Sequence, residues 1–194
     1  GVPVNIDTDV NVAAMSEAKW GNATDVDTCL YITVGTGIGG GAYLNGTTLK
    51  GLSHSEMGHI KVRRHPEDTY EGNCPYHEDC LEGLAAGPAI EKRWGKKGHE
   101  LIDNDKVWEI EAFYLAQAIT NYIYILSPER IILGGGVMKQ QQLFPLIRKN
   151  VINMLNGYVS SPYLTEEEID QYIVSPGLTD EAGVKGALYL AMMD

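Results

Sequence analysis

Positive charge is scarce in this chain and nowhere gathers. Fifteen lysines and arginines stand against 26 aspartates and glutamates, a formal net charge of −11 over 194 residues. The densest basic group, Lys61, Arg63, Arg64 and His65, is too short to follow a phosphate backbone, which excludes nucleic acid as the main partner. No apolar run approaches the roughly 20 residues that span a bilayer, so no membrane partner is read. The first residues also lack the charged-then-apolar pattern of a signal segment. Internal repeats and low-complexity tracts are missing too. With 44% hydrophobic and 21% charged residues, the chain has the composition of a soluble globular protein able to bury a core.

Cysteine is equally sparse. Three cannot all pair, and Cys29 sits in the apolar run Cys29-Leu30-Tyr31-Ile32, which makes it a buried small hydrophobe. This usage suits a reducing cytoplasm. The glycosylation-type triplets at Asn22 and Asn45 carry no weight without a secretory signal.

The segments that are present read as an α/β chain. Val2 to Ile6 looks like a strand that hands over through Asp7–Asp9 to a helix, Val10–Trp20. Asp27–Val34 reads as a β-branched strand, bent at Gly35-Thr36-Gly37 into Ile38–Leu44, and Asn45-Gly46 marks a hairpin into Thr47–Leu49. Gly87-Pro88 precedes a short helix, Ala89–Trp94. Apolar spacing at Val107, Ile110, Phe113, Tyr114 and Ala118 predicts a longer one over Asn104–Leu126, stopped by Ser127-Pro128. A strand at Arg130–Leu133 runs into Gly134-Gly135-Gly136, with a helix resuming near Met138. Tyr172–Val174 reads as a last strand and Asp180–Met193 as a last helix. A hairpin followed by helix–strand–helix alternation implies a mixed sheet.

Four motifs could carry chemistry. Around Gly35-Thr36-Gly37, bare backbone amides and a threonine hydroxyl suit an anion, and a tight turn needing positive φ would look the same. The spacing is neither a P-loop nor a dinucleotide fingerprint. Gly134-Gly135-Gly136 would let a flat ligand lie on backbone with phosphate at a helix start, or merely connect strand to helix. Asp9, beside Asp7, Asn5 and Asn11, could accept a hydroxyl proton. Residue pattern alone favours a helix cap there.

Cys74, His77 and Cys80 have C-x2-H-x2-C spacing and lie in EGNCPYHEDC, a stretch with little apolar surface to bury free thiols. With a fourth ligand from His54, His59 or His65 they would hold a tetrahedral ion, structural because protein fills every position. Glu56 and Glu82 bracket this knot. The run Glu166-Glu167-Glu168 reads as a solvated helix start.

In this order, Asp9-Val10-Asn11-Val12-Ala13-Ala14, Gly35-Thr36-Gly37-Ile38-Gly39, Glu56-Met57-Gly58-His59, the knot through Glu82, and Gly134-Gly135-Gly136-Val137 resemble the ROK family of sugar kinases. The likeness is strongest to its fructokinase branch and covers nearly the whole chain. It implies ATP-dependent phosphorylation of a hexose, fructose to fructose 6-phosphate, with Mg2+ and a structural Zn2+. Asp9 would be the general base, and Asn11, Glu56, His59 and Glu82 would contact the sugar. His59 would also be the fourth zinc ligand, with Cys74, His77 and Cys80. Gly35, Thr36 and Gly37 would face the ATP phosphates. Gly134, Gly135, Gly136, Val137 and Met138, with Pro88, would line the adenosine pocket.

The implied fold is the actin-like, ribonuclease-H-like ATPase architecture. Residues 1–194 would be its C-terminal lobe, and 51–90 the sugar- and zinc-binding segment. The family's Asp-x-Gly-Gly-Thr phosphate turn is absent, so the resemblance implies the C-terminal portion of a longer protein, inactive alone. Thr8 stands where many relatives place asparagine. A cytoplasmic homodimer is implied as well. The family also holds sugar-responsive repressors with an N-terminal DNA-binding domain, and kinases for glucose, mannose or N-acetylated hexoses. Asp9 and the two glycine turns favour a kinase.

Overall fold

The computed structural model describes residues 4–192. Strand β1 (Thr28–Val34) and strand β2 (Ile38–Leu44) pair antiparallel, with Thr28 opposite Leu44 and Val34 opposite Ile38. Asn45 and Gly46 take φ of 48° and 87°, the paired positive angles that an Asn-Gly hairpin turn needs, and lead into β3 (Thr47–Thr48). On its other side β1 pairs in parallel with β4 (Arg130–Gly134), and β4 with β5 (Ile173–Val174). The sheet is mixed, in the order β3-β2-β1-β4-β5.

Period-two alternation decides which residue faces which layer. Leu30, Ile32, Val34, Ile131 and Leu133 enter the larger core. The helices α2 (Leu81–Ala85), α3 (Gly87–Trp94), α4 (Asp105–Leu126) and α5 (Leu143–Leu155) supply the rest of it. Cys29, Tyr31 and Ile132 point the other way, into a smaller core with α1 (Asp9–Trp20). Cys29 is 1% exposed, and burial pushes its thiol up to about 12, as befits an inert apolar residue.

Several boundaries differ from the sequence reading. Residues 4–8 form no strand: Val4 and Ile6 are exposed and pair with none of the five strands, so their alternation buries no face against the sheet. The first three residues lie outside the described part. At Met138 there is one 3-10 turn, Val137–Lys139, and α5 starts only at Leu143, because Gln140 at ψ 88° breaks the helical run. Tyr172 closes a short helix, α6 (Ile169–Tyr172), where its hydroxyl donates to Pro128 O at 2.8 Å. The last helix, α7 (Ala182–Ala191), follows a 3-10 turn at Thr179–Glu181. Met193 is outside the described residues.

The long connection from β3 to α2 has little regular structure, so side chains hold it down. The Asp68 carboxylate takes Arg93 Nε at 3.1 Å, the Tyr114 hydroxyl at 2.6 Å and the Tyr70 amide at 3.0 Å. Asp68 and Arg93 side chains are 2% and 6% exposed. Burial alone would push the Asp68 carboxyl up, but Tyr114, the Tyr70 amide and Arg93 outweigh it and hold it below 3.8. Its stabilisation is therefore complete above the unfolded value and lost as pH falls through the lower folded one. Asp68→Ala would strand the buried guanidinium and is expected to cost about 3–5 kcal/mol. The wild type should lose that margin only below about pH 4. Urea midpoints measured from pH 7 to pH 3 check both; a variant within 1 kcal/mol of wild type at pH 7 contradicts the assignment.

Candidate active site and metal knot

The start of α1 is built around Asp7. Its carboxylate accepts the Thr8 amide at 2.8 Å, Asn11 Nδ2 at 2.7 Å and Thr48 Oγ1 at 3.1 Å, and pairs with Lys50 at 3.0 Å. Burial would push it up, yet these partners keep it below its ordinary value. Asp7 thus ties the helix start to β3. The sequence reading treated it only as a neighbour of Asp9; the Asn11 at i+4 was the signal. Asn11 is 2% exposed and donates to Asp7, so it lines neither of the cavities described below. The helix cap is Thr8, whose side chain accepts the Asn11 amide at 3.2 Å. This corrects the reading of Asp9 as a cap. Asp9 occupies the first helical position, exposed, with Oδ1 on the amide of Val10 at 2.9 Å.

Asp9 opens into a cavity of about 630 Å³ shared with Thr33, Gly134, Gly135, Gly136 and Met138. A second cavity of about 580 Å³ lies between Gly35, Thr36, Pro88, Val137 and Trp108. Gly136 lines both, so the two meet at the glycine turn. Gly135 has φ 92°, the left-handed region that favours glycine. Neither Gly35 nor Gly37 does, so the positive-φ account of that turn fails. At Gly37 a Cβ would stand 2.6 Å from Glu82 Oε2, the movable end of a side chain, so the turn lies against that carboxylate. Gly35 N donates to Gly37 O, Gly35 O accepts from Gly87, and Ile38 N donates to Glu82. Thr36 and Gly37 amides have no acceptor among the described residues, and these two are the pair an anion would find. Gly37 lines neither cavity.

The metal knot closes on the other side of β2. His59, Cys74, His77 and Cys80 place their donor atoms within 4.8 Å of one another. His59 Nδ1 is 3.5 Å from Cys80 Sγ and 3.7 Å from Cys74 Sγ, and His77 Nδ1 is 3.7 Å from Cys74 Sγ. Bond lengths of about 2.0–2.3 Å give a tetrahedron with edges of about 3.3–3.8 Å, so the residues fit a tetrahedral ion. Of the three candidate fourth ligands, the fold selects His59. The Lys61–Cys80 bridge brings its segment alongside, and Gly58 seats against the Ile38 carbonyl where no side chain would fit. His54 instead meets Glu56 at 2.8 Å, and the His65 ring packs edge-to-face with Phe113.

Glu56, His59 and Glu82 lie outside both cavities, on an open face beside the first residues of β2. His59 Nε2, the nitrogen left over from the knot, faces Glu82 Oε1 at 4.0 Å. Asp9 and His59 flank the same end of β2. Val10 packs on Gly39 from one side, and Met57 on Gly40 from the other. Glu17, which the sequence reading passed over, is fully buried and accepts the amides of Asn22, Gly177 and Leu178 at 2.8–3.0 Å. It anchors the far end of α1 to the segment before α7.

Similarity to known proteins agrees with this arrangement. The pattern of the ROK family matches residues 1–193. A provisionally named fructokinase of Bacillus subtilis (strain 168) is 55% identical over 190 residues, 98% of this chain and 63% of that protein. The fructokinase of Pediococcus pentosaceus is 46% identical over 98% of this chain and 64% of its own length. The chain therefore spans a little under two thirds of these relatives. Among solved structures, the ROK hexokinase from Thermus thermophilus superposes with a TM-score of 0.82 at 28% identity, over 98% of this chain and 65% of that one. With the mixed sheet between two helical layers, that likeness gives the actin-like ATPase fold. The chain belongs to the ROK family.

Proposed function

We propose that this chain is the sugar- and nucleotide-binding lobe of an ATP-dependent hexokinase acting on fructose to give fructose 6-phosphate. The observation that carries the reading is the pair of cavities joined at Gly136. One holds a carboxylate free of capping duty, and the other lies between two glycine turns suited to phosphate and base. Asp9 accepts the proton of the sugar's primary hydroxyl as that oxygen attacks the γ-phosphorus. Asn11 acts through Asp7, and Glu56, His59 and Glu82 offer hydrogen bonds to the other hydroxyls. Thr36 and Gly37 amides meet the phosphates, Pro88 and Val137 flank the nucleoside in the second cavity, and Gly134, Gly135 and Met138, which line the Asp9 cavity, border it across the Gly136 turn. Bound Mg2+ offsets phosphate charge. A structural Zn2+ is held by His59, Cys74, His77 and Cys80 and supplies no chemistry of its own. The fructokinase names of the similar proteins support the sugar, and their span supports the view that the chain alone is inactive. A homodimer in a reducing cytoplasm completes the proposal.

The test is a coupled ADP-release assay on the full-length protein against a panel of hexoses. A suitable alternative joins this chain to the part of the Bacillus subtilis relative it does not span. Fructose-dependent ADP release above that with glucose or mannose is expected. Preference for another hexose would replace the sugar and leave the kinase. ADP release that no hexose stimulates would end the reading.

A further inference from the structure

Glu82 touches both halves of the site. One oxygen, Oε2, accepts the Ile38 amide at 2.9 Å and lies against Gly37. The other, Oε1, stands 4.0 Å from Nε2 of His59. The His59 Nδ1 faces the two thiols of the knot, so a metal bound there leaves the ring proton on Nε2, pointing at Glu82. At 4.0 Å this is an approach and not yet a hydrogen bond; a carboxylate that closes such a gap behind a metal-bound histidine orients the ring and raises its basicity. Here the same carboxylate also grips the backbone directly after the Thr36-Gly37 amides. Glu82 leads α2, whose position follows from the buried Leu81 and Leu84, so the carboxylate sits on a rigid element.

We infer that Glu82 is a positioning residue that couples the metal knot to the nucleotide turn. Orientation of the metal-bound imidazole and orientation of the Gly37–Ile38 peptide then share one side chain. Loss of the metal loosens the turn that meets the phosphates, although no metal ligand lies in it. This inference rests on the proposed site assignment, but the coupling itself is readable without catalysis.

The experiment compares wild type, Glu82→Gln and Glu82→Ala in the full-length protein, each zinc-loaded and chelated. Amide exchange of Ile38 is followed by NMR, zinc affinity by chelator competition, and ADP affinity by calorimetry. Glutamine keeps an oxygen for the Ile38 amide but turns an NH2 group toward the Nε2 proton. It should retain Ile38 protection within about threefold and still lose metal affinity by about 10–100-fold. Alanine should lose both, with ADP binding weakened about tenfold, as expected for one charge-assisted hydrogen bond. Chelating wild type should raise Ile38 exchange at least tenfold. Unchanged Ile38 exchange on chelation, or alanine and glutamine variants that behave alike, overturns the coupling. If wild type takes up no ADP, the nucleotide reading fails while the exchange data still decide the coupling.

Discussion

Replacing Asp9 with asparagine in the full-length protein should lower the kcat of the proposed sugar phosphorylation about 10²–10⁴-fold, the range a positioned general base supplies, with little change in stability. The two effects separate because Thr8 already caps α1 and Asp7 already anchors it. Asp9 contributes to the fold only through its neighbour's amide and its charge in the first helical turn, an effect of about 0.3–1 kcal/mol. Asparagine keeps the size and one acceptor oxygen but cannot take the proton. If the reading holds, KM for the sugar should move far less than kcat, because the lost interaction belongs to the transition state. Steady-state kinetics with urea unfolding of the same variant checks this. A variant with wild-type kcat removes Asp9 from catalysis. A variant that loses activity only in proportion to lost folded protein returns it to a structural role.

The contrast between Thr8 and Asp9 shows where sequence reading stops. Both residues stand at the start of the same helix and both are of a type that caps; which one does is decided by Asp7 drawing the Thr8 amide and Asn11 together. Those bonds depend on Thr48 and Lys50 arriving through a hairpin some 40 residues later. The hairpin itself was legible, since Asn45-Gly46 leaves a two-residue turn few alternatives. The glycine turn at 35–37 was legible as a turn, but its cause was not. Its geometry follows the Glu82 carboxylate, which takes the Ile38 amide and lies against Gly37, and no local pattern encodes a contact between residues 37 and 82. The knot was legible at Cys74, His77 and Cys80 because ligand spacing is local. Its fourth member stayed open among three histidines until the bridge at Lys61 and the seat of Gly58 fixed which one arrives. Over its described residues, Val4–Ile6, the expected strand is not there. Alternating apolar residues make a strand only where one face is buried, and Val4 and Ile6 face outward instead.

Removing the metal should open one part of the long connection and spare the rest. Apart from the four donors, residues 71–80 are held mostly by surface contacts: the Cys74–Glu78 and Lys61–Cys80 bridges, the Asn73 amide on Gly83, Lys61 on Asp79 and the His77 carbonyl, and Arg64 on Asp79 and the Glu71 carbonyl. Glu78 takes φ 55°, a left-handed angle that a residue with a side chain holds only while something fixes the loop. Burial pushes the Cys80 thiol up, so without a cation the buried sulfur is carried protonated and no charge remains to draw the imidazoles in. Residues 62–70 differ, because Asp68, Arg93 and Tyr114 bind them to α3 and α4 from within the core. Chelation should therefore raise amide exchange across 71–80 by about 100-fold or more, as for segments whose order is the binding energy of their ion. Residues around Asp68 and the strands should stay protected. Cys80→Ser should purify without its ion. Loss of His77, the exposed ligand, should weaken binding yet leave three donors and an open fourth position for water. Metal analysis should find one zinc per wild-type chain. A chain that takes up none in zinc-containing buffer, or whose 71–80 amides exchange equally with and without chelator, would show that the four donors meet for another reason.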